Sequence, residues 1–301
     1  VKLLDLAWIL CRYSQMTDSA DAELLFARLS AMPAPEPRLA ASILILRDAP
    51  AGLEVLMVVR NKKIEFASGA MVYPGGRMME TDAPAHMAER VIGQQGLDAT
   101  EASLRVAAIR EAFEEVGLLP AAMTADGPVQ DADILPINQF RAGVDKGTAD
   151  FGAVLRKSGI SLDINKLVKF AHIIAPKITP KRFNTHFYAV KAAEHQTPHA
   201  DGSEIMETVW IRPDEALDQA ERGERDVMFP TRIVLCRLTG FATVEAALAG
   251  ALQEPPQPIQ PQLELSDGIV GLRTTAVPGF PATWEVLDGV NGKRIAASRT
   301  D

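Results

Sequence analysis

Only two cysteines, Cys11 and Cys236, occur among 301 residues, far apart and outside any C-x-x-C spacing. That scarcity excludes a disulfide scaffold and a thiolate zinc site, and it fits a reducing, cytoplasmic setting. Histidine is also rare: His86, His172, His186, His195 and His199 are the full set, and none falls in an H-E-x-x-H pattern. His195 and His199 lie four apart, but in the polar, proline-containing stretch "EHQTPHA", which reads as a solvated loop. Positive charge is in deficit, with 31 Lys and Arg against 39 Asp and Glu and a formal net charge of −8. A chain of that balance is not expected to bind nucleic acid or anionic membrane broadly. Long apolar runs are missing as well. The N-terminal "VKLLDLAWILCRY" is too short to span a bilayer, is interrupted by Asp5, and lacks a clean A-x-A site. We expect a non-targeting extension there, with Met16 as a candidate start, and no membrane partner.

What the chain does have is an ordinary globular composition, 47% hydrophobic and 23% charged, and a length sufficient for one large domain or two small ones. "DAELLFARLS" predicts a short amphipathic helix, and the proline-rich "AMPAPEPR" after it predicts a linker. "LAASILILRD" and "LEVLMVVRN" flank the turn "APAG" as an antiparallel hairpin. "GAMVYPGGRM" reads as a third strand running into a Pro-Gly-Gly turn. A helix is predicted from about Thr100 to Val116, with Asp98 as cap, Gly117 in the left-handed closing position and Pro120 barring continuation. Further strands are expected at "LVKFAHIIAP", "RFNTHFYAVKA" and "METVWIRP", and helices at "RPDEALDQAERG" and "PTRIVLCRLTGFATVEAALAG". The tail opens on the polyproline-like "QEPPQPIQPQ" and ends in short strand-like pieces. Strands and helices interleave without the regular alternation of a parallel barrel.

The chemistry concentrates in "REAFEEVG", Arg110 to Gly117. Helical periodicity places Glu111, Glu114 and Glu115 on one face and Val106, Ile109, Phe113 and Val116 on the other. Two such carboxylates ~6 Å apart repel by about 3 kcal/mol at an effective dielectric near 20. Arg110 can relieve part of this through an i to i+4 pairing with Glu114, but it cannot neutralise three charges. A hard divalent cation could, since Mg²⁺ and Mn²⁺ prefer carboxylate oxygens. Periodicity alone leaves two readings open, a solvated acidic face and a metal cradle. Upstream, "VYPGGR" sets Gly75 and Gly76 after a strand, where bare backbone can approach a ligand or simply form a tight turn.

Together, "GGRMMETD" and "REAFEEVGLL" resemble the signature of the Nudix hydrolases, G-x5-E-x7-R-E-U-x-E-E-x-G-U. Arg110, Glu111, Glu114, Glu115, Gly117 and Leu118 fall in register, with Ala112 at the first aliphatic position. The first half departs: six on from Gly76 stands Asp82 rather than Glu, and Glu80 lies two residues earlier. Twenty-seven residues then separate Asp82 from Arg110 where the motif has seven, an inserted stretch we read as a loop excursion. This interrupted motif, with "RFNTHFYAV" and "EIMETVW" downstream, is most similar to the branch holding the peroxisomal acyl-coenzyme A diphosphatases.

The resemblance implies an α/β fold, a Nudix-type α/β/α sandwich around a mixed β-sheet. It spans residues 38–252, with an insertion at about 83–102, between an N-terminal extension and linker (1–37) and a proline-rich tail (253–301). It implies metal-dependent hydrolysis of a diphosphate linkage in a nucleoside diphosphate derivative, with coenzyme A or an acyl-coenzyme A as first substrate. ADP-ribose or an NADH-type dinucleotide is the alternative, and a ligand-binding protein that has lost catalysis the further one. Mg²⁺ or Mn²⁺ would be held by Glu111, Glu114, Glu115 and the Gly76 carbonyl. Glu111, Glu114 and Arg110 form the implied catalytic set, with Glu111 as base and Arg110 orienting a carboxylate. Glu204 and Glu207 are candidates for a further acid, and Arg60, Arg77 and Arg182 for substrate phosphates. Family analogy adds a homodimer.

Overall fold

In a computed structural model the chain is described over residues 19–64, 67–87 and 89–287. The N-terminal stretch through Met16, and Cys11 with it, lies outside the described residues. The described residues divide into two units: residues 39–171 with 186–255, and residues 19–38 with 172–185 and 256–287.

In the larger unit the two apolar runs form β1 (Arg38–Ala49) and β2 (Gly52–Arg60), an antiparallel hairpin closed between Ala49 and Gly52. Both are nearly continuous apolar stretches, as strands buried on two faces must be, and Ile43, Leu44, Ile45, Val55, Leu56 and Val58 are all buried. The predicted third strand is instead two: β3 (Met71–Val72) pairs with β2, and β4 (Gly75–Arg77) pairs with β1. Pro74 stands between them and has no N–H for a ladder, so the chain changes partner there. The order β11-β2-β1-β10-β9 completes this part of the sheet, with β9 at Val168–Ile174, β10 at Phe183–Lys191 and β11 at Ile205–Ile211.

The inserted stretch is not a bare excursion. It carries a 3-10 turn at Pro84–Met87 and β5 (Val91–Ile92), which pairs in parallel with β8 (Ser161–Asp163). β6 (Ala122–Thr124) and β7 (Gly127–Pro128) extend that second, mixed sheet. Met87 and Val91 join a core that also contains Ala41, Ile43, Leu56, Phe113, Leu155 and Leu162. The helix Phe151–Ser158 approaches closely enough that a Cβ on Gly152 would collide with the His86 carbonyl oxygen.

In the smaller unit, helix α1 (Ser19–Ser30) packs Leu25 and Leu29 with Ile178, Val270 and Leu272. β12 (Pro258–Ile259) runs parallel to His172 and Ile173, and β13 (Gln262–Ser266), β14 (Ile269–Thr274) and β15 (Thr283–Val286) form an antiparallel sheet. Among the described residues no helix is long and apolar enough to cross a membrane.

Candidate active site

The site is built on helix α2, Ala99–Val116. It begins where the Asp98 side chain accepts the Glu101 amide, 2.8 Å. It ends where Gly117, at φ 69°, turns left-handed and its N–H reaches the Phe113 carbonyl at 3.1 Å. Only glycine takes that turn at no steric cost, which is why the acidic run stops there.

From Val106 to Val116 the helix is buried on every side. Val106, Ile109, Phe113 and Val116 are fully enclosed, and Phe113 stacks on Phe151 with ring centres 5.7 Å apart. The opposite face is covered as well: Arg110 is 2% exposed, Glu111 9%, Glu114 7% and Glu115 5%, which rules out a solvated acidic face.

Arg110 organises this face. Its Nε donates to Asp82 Oδ1 (2.7 Å) and its Nη2 to Asp82 Oδ2 (3.1 Å) and the Arg77 carbonyl (2.8 Å). Its Nη1 donates to Glu111 Oε1 at 2.9 Å and to both oxygens of Glu114, 3.0 and 2.9 Å. Burial works against the guanidinium charge, but Glu111, Asp82 and Glu114 outweigh it and push its pKa up. Asp82, fully buried, therefore fixes one end of the arginine so that the other end can hold two glutamates. Asp82 was not among the residues singled out from sequence, although its place six after Gly76 marked it. Glu80 is exposed.

The Gly-Gly turn closes over the carboxylates. The Gly75 amide donates to Glu115 Oε2 at 3.0 Å. A Cβ on Gly76 would lie 2.6 Å from Glu111 Oε1, so the backbone approaches this carboxylate as only glycine allows.

Burial pushes the Glu111 carboxyl up to about 7 and that of Glu114 up to about 8, against the pull of Arg110. Glu115 is raised well above the usual range by burial first and by Glu111 next, with Arg60 opposing. One guanidinium thus does not compensate the cluster.

Two more pieces surround it. Glu204 ion-pairs with Arg60, whose Nη1 lies 3.8 Å from Glu115 Oε1. Arg141, absent from the sequence candidates, donates to the Glu114 carbonyl from Nε (3.2 Å) and Nη2 (3.0 Å) and to the His199 carbonyl (2.9 Å). It caps the C-terminal carbonyls of α2.

The remaining sequence candidates are placed differently. Glu207 pairs with Arg225 at 2.9 and 3.1 Å on an exposed stretch. The Arg77 side chain is exposed, and it is its carbonyl that serves the site. Arg182 belongs to the smaller unit, where it donates to the carbonyls of Ala175 (3.1 Å) and Pro35 (2.9 Å).

A family profile described as the NUDT19 Nudix domain matches residues 84–238, more than half of the chain. The chain belongs to the Nudix hydrolases of the NUDT19 branch. A NUDIX hydrolase of Alicyclobacillus acidocaldarius is 30% identical, with a TM-score of 0.62 over 71% of this chain and 96% of that one. Nudix hydrolase 7 of Caenorhabditis elegans is 29% identical over 209 residues, 68% of this chain. The alignment spans 63% of that relative's length. The acyl-coenzyme A diphosphatase NUDT19 of Gallus gallus is 26% identical, with 87% of this chain and 83% of the relative covered.

Within this Nudix chain, the donor set suits a hard divalent cation: buried carboxylates beside a backbone with no Cβ in the way. Among the described residues no three acidic, histidine or cysteine side chains already stand in a ligating group. Arg110 and Arg60 take up the carboxylate oxygens instead.

Proposed function

We propose that the chain is a divalent-metal-dependent diphosphatase acting on nucleoside diphosphate derivatives, with coenzyme A or an acyl-coenzyme A as first substrate. One observation carries this reading: beneath a Gly-Gly turn, buried Glu111 and Glu114 share the guanidinium of Arg110 with Asp82, and buried Glu115 faces Arg60 at 3.8 Å, an excess of enclosed carboxylates over arginines that calls for a cation. The similarity to acyl-coenzyme A diphosphatases supports the substrate choice.

Glu111, Glu114 and Glu115, with the Gly76 carbonyl, would hold Mg²⁺ or Mn²⁺. Such an ion supplies charge for the diphosphate oxygens and acidifies a bound water. The chain's own residues do the rest. Arg110 is a positioning residue, gripping Glu111 by Oε1 so that this carboxylate can take a proton from the attacking water. The water oxygen joins one phosphorus, the bridging P–O bond breaks, and two phosphomonoesters leave.

The test is a panel of coenzyme A, an acyl-coenzyme A, ADP-ribose and NADH with Mg²⁺ or Mn²⁺, the products identified by mass spectrometry. Two phosphomonoesters from the coenzyme A compounds are expected. Faster cleavage of ADP-ribose or NADH replaces the substrate. Phosphorylated product from none of them refutes the hydrolase, and calorimetric binding without turnover would then favour a ligand-binding protein.

A further inference from the structure

The tie between Arg60 and Glu204 has no part in the chemistry just described. Arg60 ends β2, Glu204 immediately precedes β11, and Ile205 is the register partner of Arg60. The guanidinium ion-pairs with Glu204 and reaches Glu115 at only 3.8 Å, so it leans on both carboxylates. Glu204 cannot swing freely with it. Its amide donates to Asp201 Oδ2 (3.1 Å) and its carbonyl accepts the Asn61 amide (2.8 Å). Asp201 also accepts the Ile205 amide at 2.7 Å, and its own amide donates to the Glu115 carbonyl at 3.1 Å. The turn 201–205 is therefore fastened to the end of β2 and to the end of α2. It presents Glu204 as a fixed anchor for Arg60 beside Glu115.

A divalent cation and a guanidinium cannot share one buried carboxylate without strong repulsion. We propose that Arg60 is a placeholder charge: it rests on Glu115 while the carboxylates hold no cation, and yields that oxygen to an incoming divalent ion. Pivoting on Glu204, it then turns its donors to an oxygen of the bound diphosphate. The inference rests on the metal-dependent reading above. It involves no bond making, only the exchange of one ionic partner for another. A planar guanidinium released in this way matches phosphate oxygens in charge and shape.

The experiment titrates Mn²⁺ alone into the full chain by calorimetry, for wild type, Arg60→Gln, Glu204→Gln and the double variant. Removing one positive charge near a divalent ion, screened as in water, is worth about a tenfold gain in affinity, so Arg60→Gln should bind Mn²⁺ about tenfold more tightly. Glu204→Gln, which leaves Arg60 to bear fully on Glu115, should bind it more weakly. In the Arg60→Gln background the same change should matter less than about twofold, because Glu204 acts through Arg60. With Mn²⁺ saturating and ADP as the diphosphate probe, Arg60→Gln should bind ADP more weakly than wild type. If Arg60→Gln melts far below wild type, Arg60→Lys, which keeps the charge but cannot span both carboxylates, should show the same tightening at about threefold.

Equal Mn²⁺ affinity in wild type and Arg60→Gln overturns the placeholder. So does a Glu204→Gln loss of equal size in both backgrounds, which would make Glu204 a direct ligand. A wild type that binds no Mn²⁺ overturns this inference together with the metal-dependent reading, whereas Mn²⁺ binding with an unresponsive Arg60 overturns this inference alone.

Discussion

Asp82 is the place to test whether the acidic helix is organised as described. Its carboxylate is fully buried, receives Arg110 through two nitrogens at 2.7 and 3.1 Å, and accepts the Met79 amide at 2.7 Å. Asp82→Ala removes all three bonds and one charge of a buried pair. Truncating one partner of such a pair typically costs about 3–5 kcal/mol. Glu111 and Glu114 still compensate Arg110, so the lower half of that range is expected, about 3 kcal/mol. For a unit of this size each kcal/mol moves the melting point by about 2–4 °C, which gives a drop of roughly 6–12 °C in thermal unfolding. Asp82→Asn retains the shape and part of the hydrogen bonding and should fall between wild type and alanine. Glu80→Gln is the paired control: Glu80 is exposed, so its stability should stay within about 0.5 kcal/mol of wild type, a melting-point shift of about 1–2 °C at most. A drop below 2 °C for Asp82→Ala, or equal effects at positions 80 and 82, would refute the assignment of Asp82 as the anchor of Arg110.

Gly76→Ala drives a methyl group into the Glu111 carboxylate, 2.6 Å from Oε1, and should weaken Mn²⁺ binding by at least about tenfold in calorimetry, with a stability cost of about 1–3 kcal/mol. In EDTA, the raised Glu111 and Glu114 carboxyls keep extra protons in the folded state, so their contribution is fully present below the ordinary carboxylate range. It is lost as pH rises through about 7 and 8, and the melting point of the metal-free chain should fall over that window. Mg²⁺ or Mn²⁺ should restore more stability at pH 8 than at pH 5.5, as scanning fluorimetry would read. Arg141→Ala leaves the Glu114 and His199 carbonyls without their donor and should cost about 2 kcal/mol, with faster amide exchange in residues 199–204.

Much of this was written locally. Periodicity placed the three glutamates together, and Asp98, Gly117 and the hairpin turn set element ends to within a residue or so because each is decided by its own backbone chemistry. What periodicity misjudged was the environment of α2. It assigns an inner and an outer face, whereas here Asp82, the turn at Gly75–Gly76 and the Arg60 side chain close on the outer face too, and no local signal reports what another segment will cover. The partners of Arg60, Arg141 and Arg182 were illegible for the same reason. An arginine in sequence is equally a phosphate ligand, a helix cap or a carboxylate tether, and only the carbonyls and carboxylates brought near it decide.

The interrupted motif shows what kind of constraint a site of this sort imposes. Asp82 and Arg110 meet although 27 residues separate them instead of seven. Closing the longer loop costs only about 1 kcal/mol more, because the entropy of closure grows with the logarithm of length. Burying two apolar side chains is worth about 1.5–3 kcal/mol each, and Met87 and Val91 are both taken into the core. The inserted stretch thus offsets its own closure and adds a strand that pairs with β8. What must be kept is the place where the chain leaves and the place where it returns. Asp82 lies in a 3-10 turn, with its carboxylate on the Met79 amide, and Arg110 lies within a helix whose ends are capped. Since both ends are fixed by bonds that do not run through residues 84–97, shortening that stretch should spare the Asp82–Arg110 pair while lowering the melting point through lost core. Deleting residues 88–96 with a short glycine bridge and comparing Mn²⁺ affinity with the melting temperature separates the two effects. Loss of Mn²⁺ binding in a chain that still folds would show that the insertion shapes the carboxylate site itself.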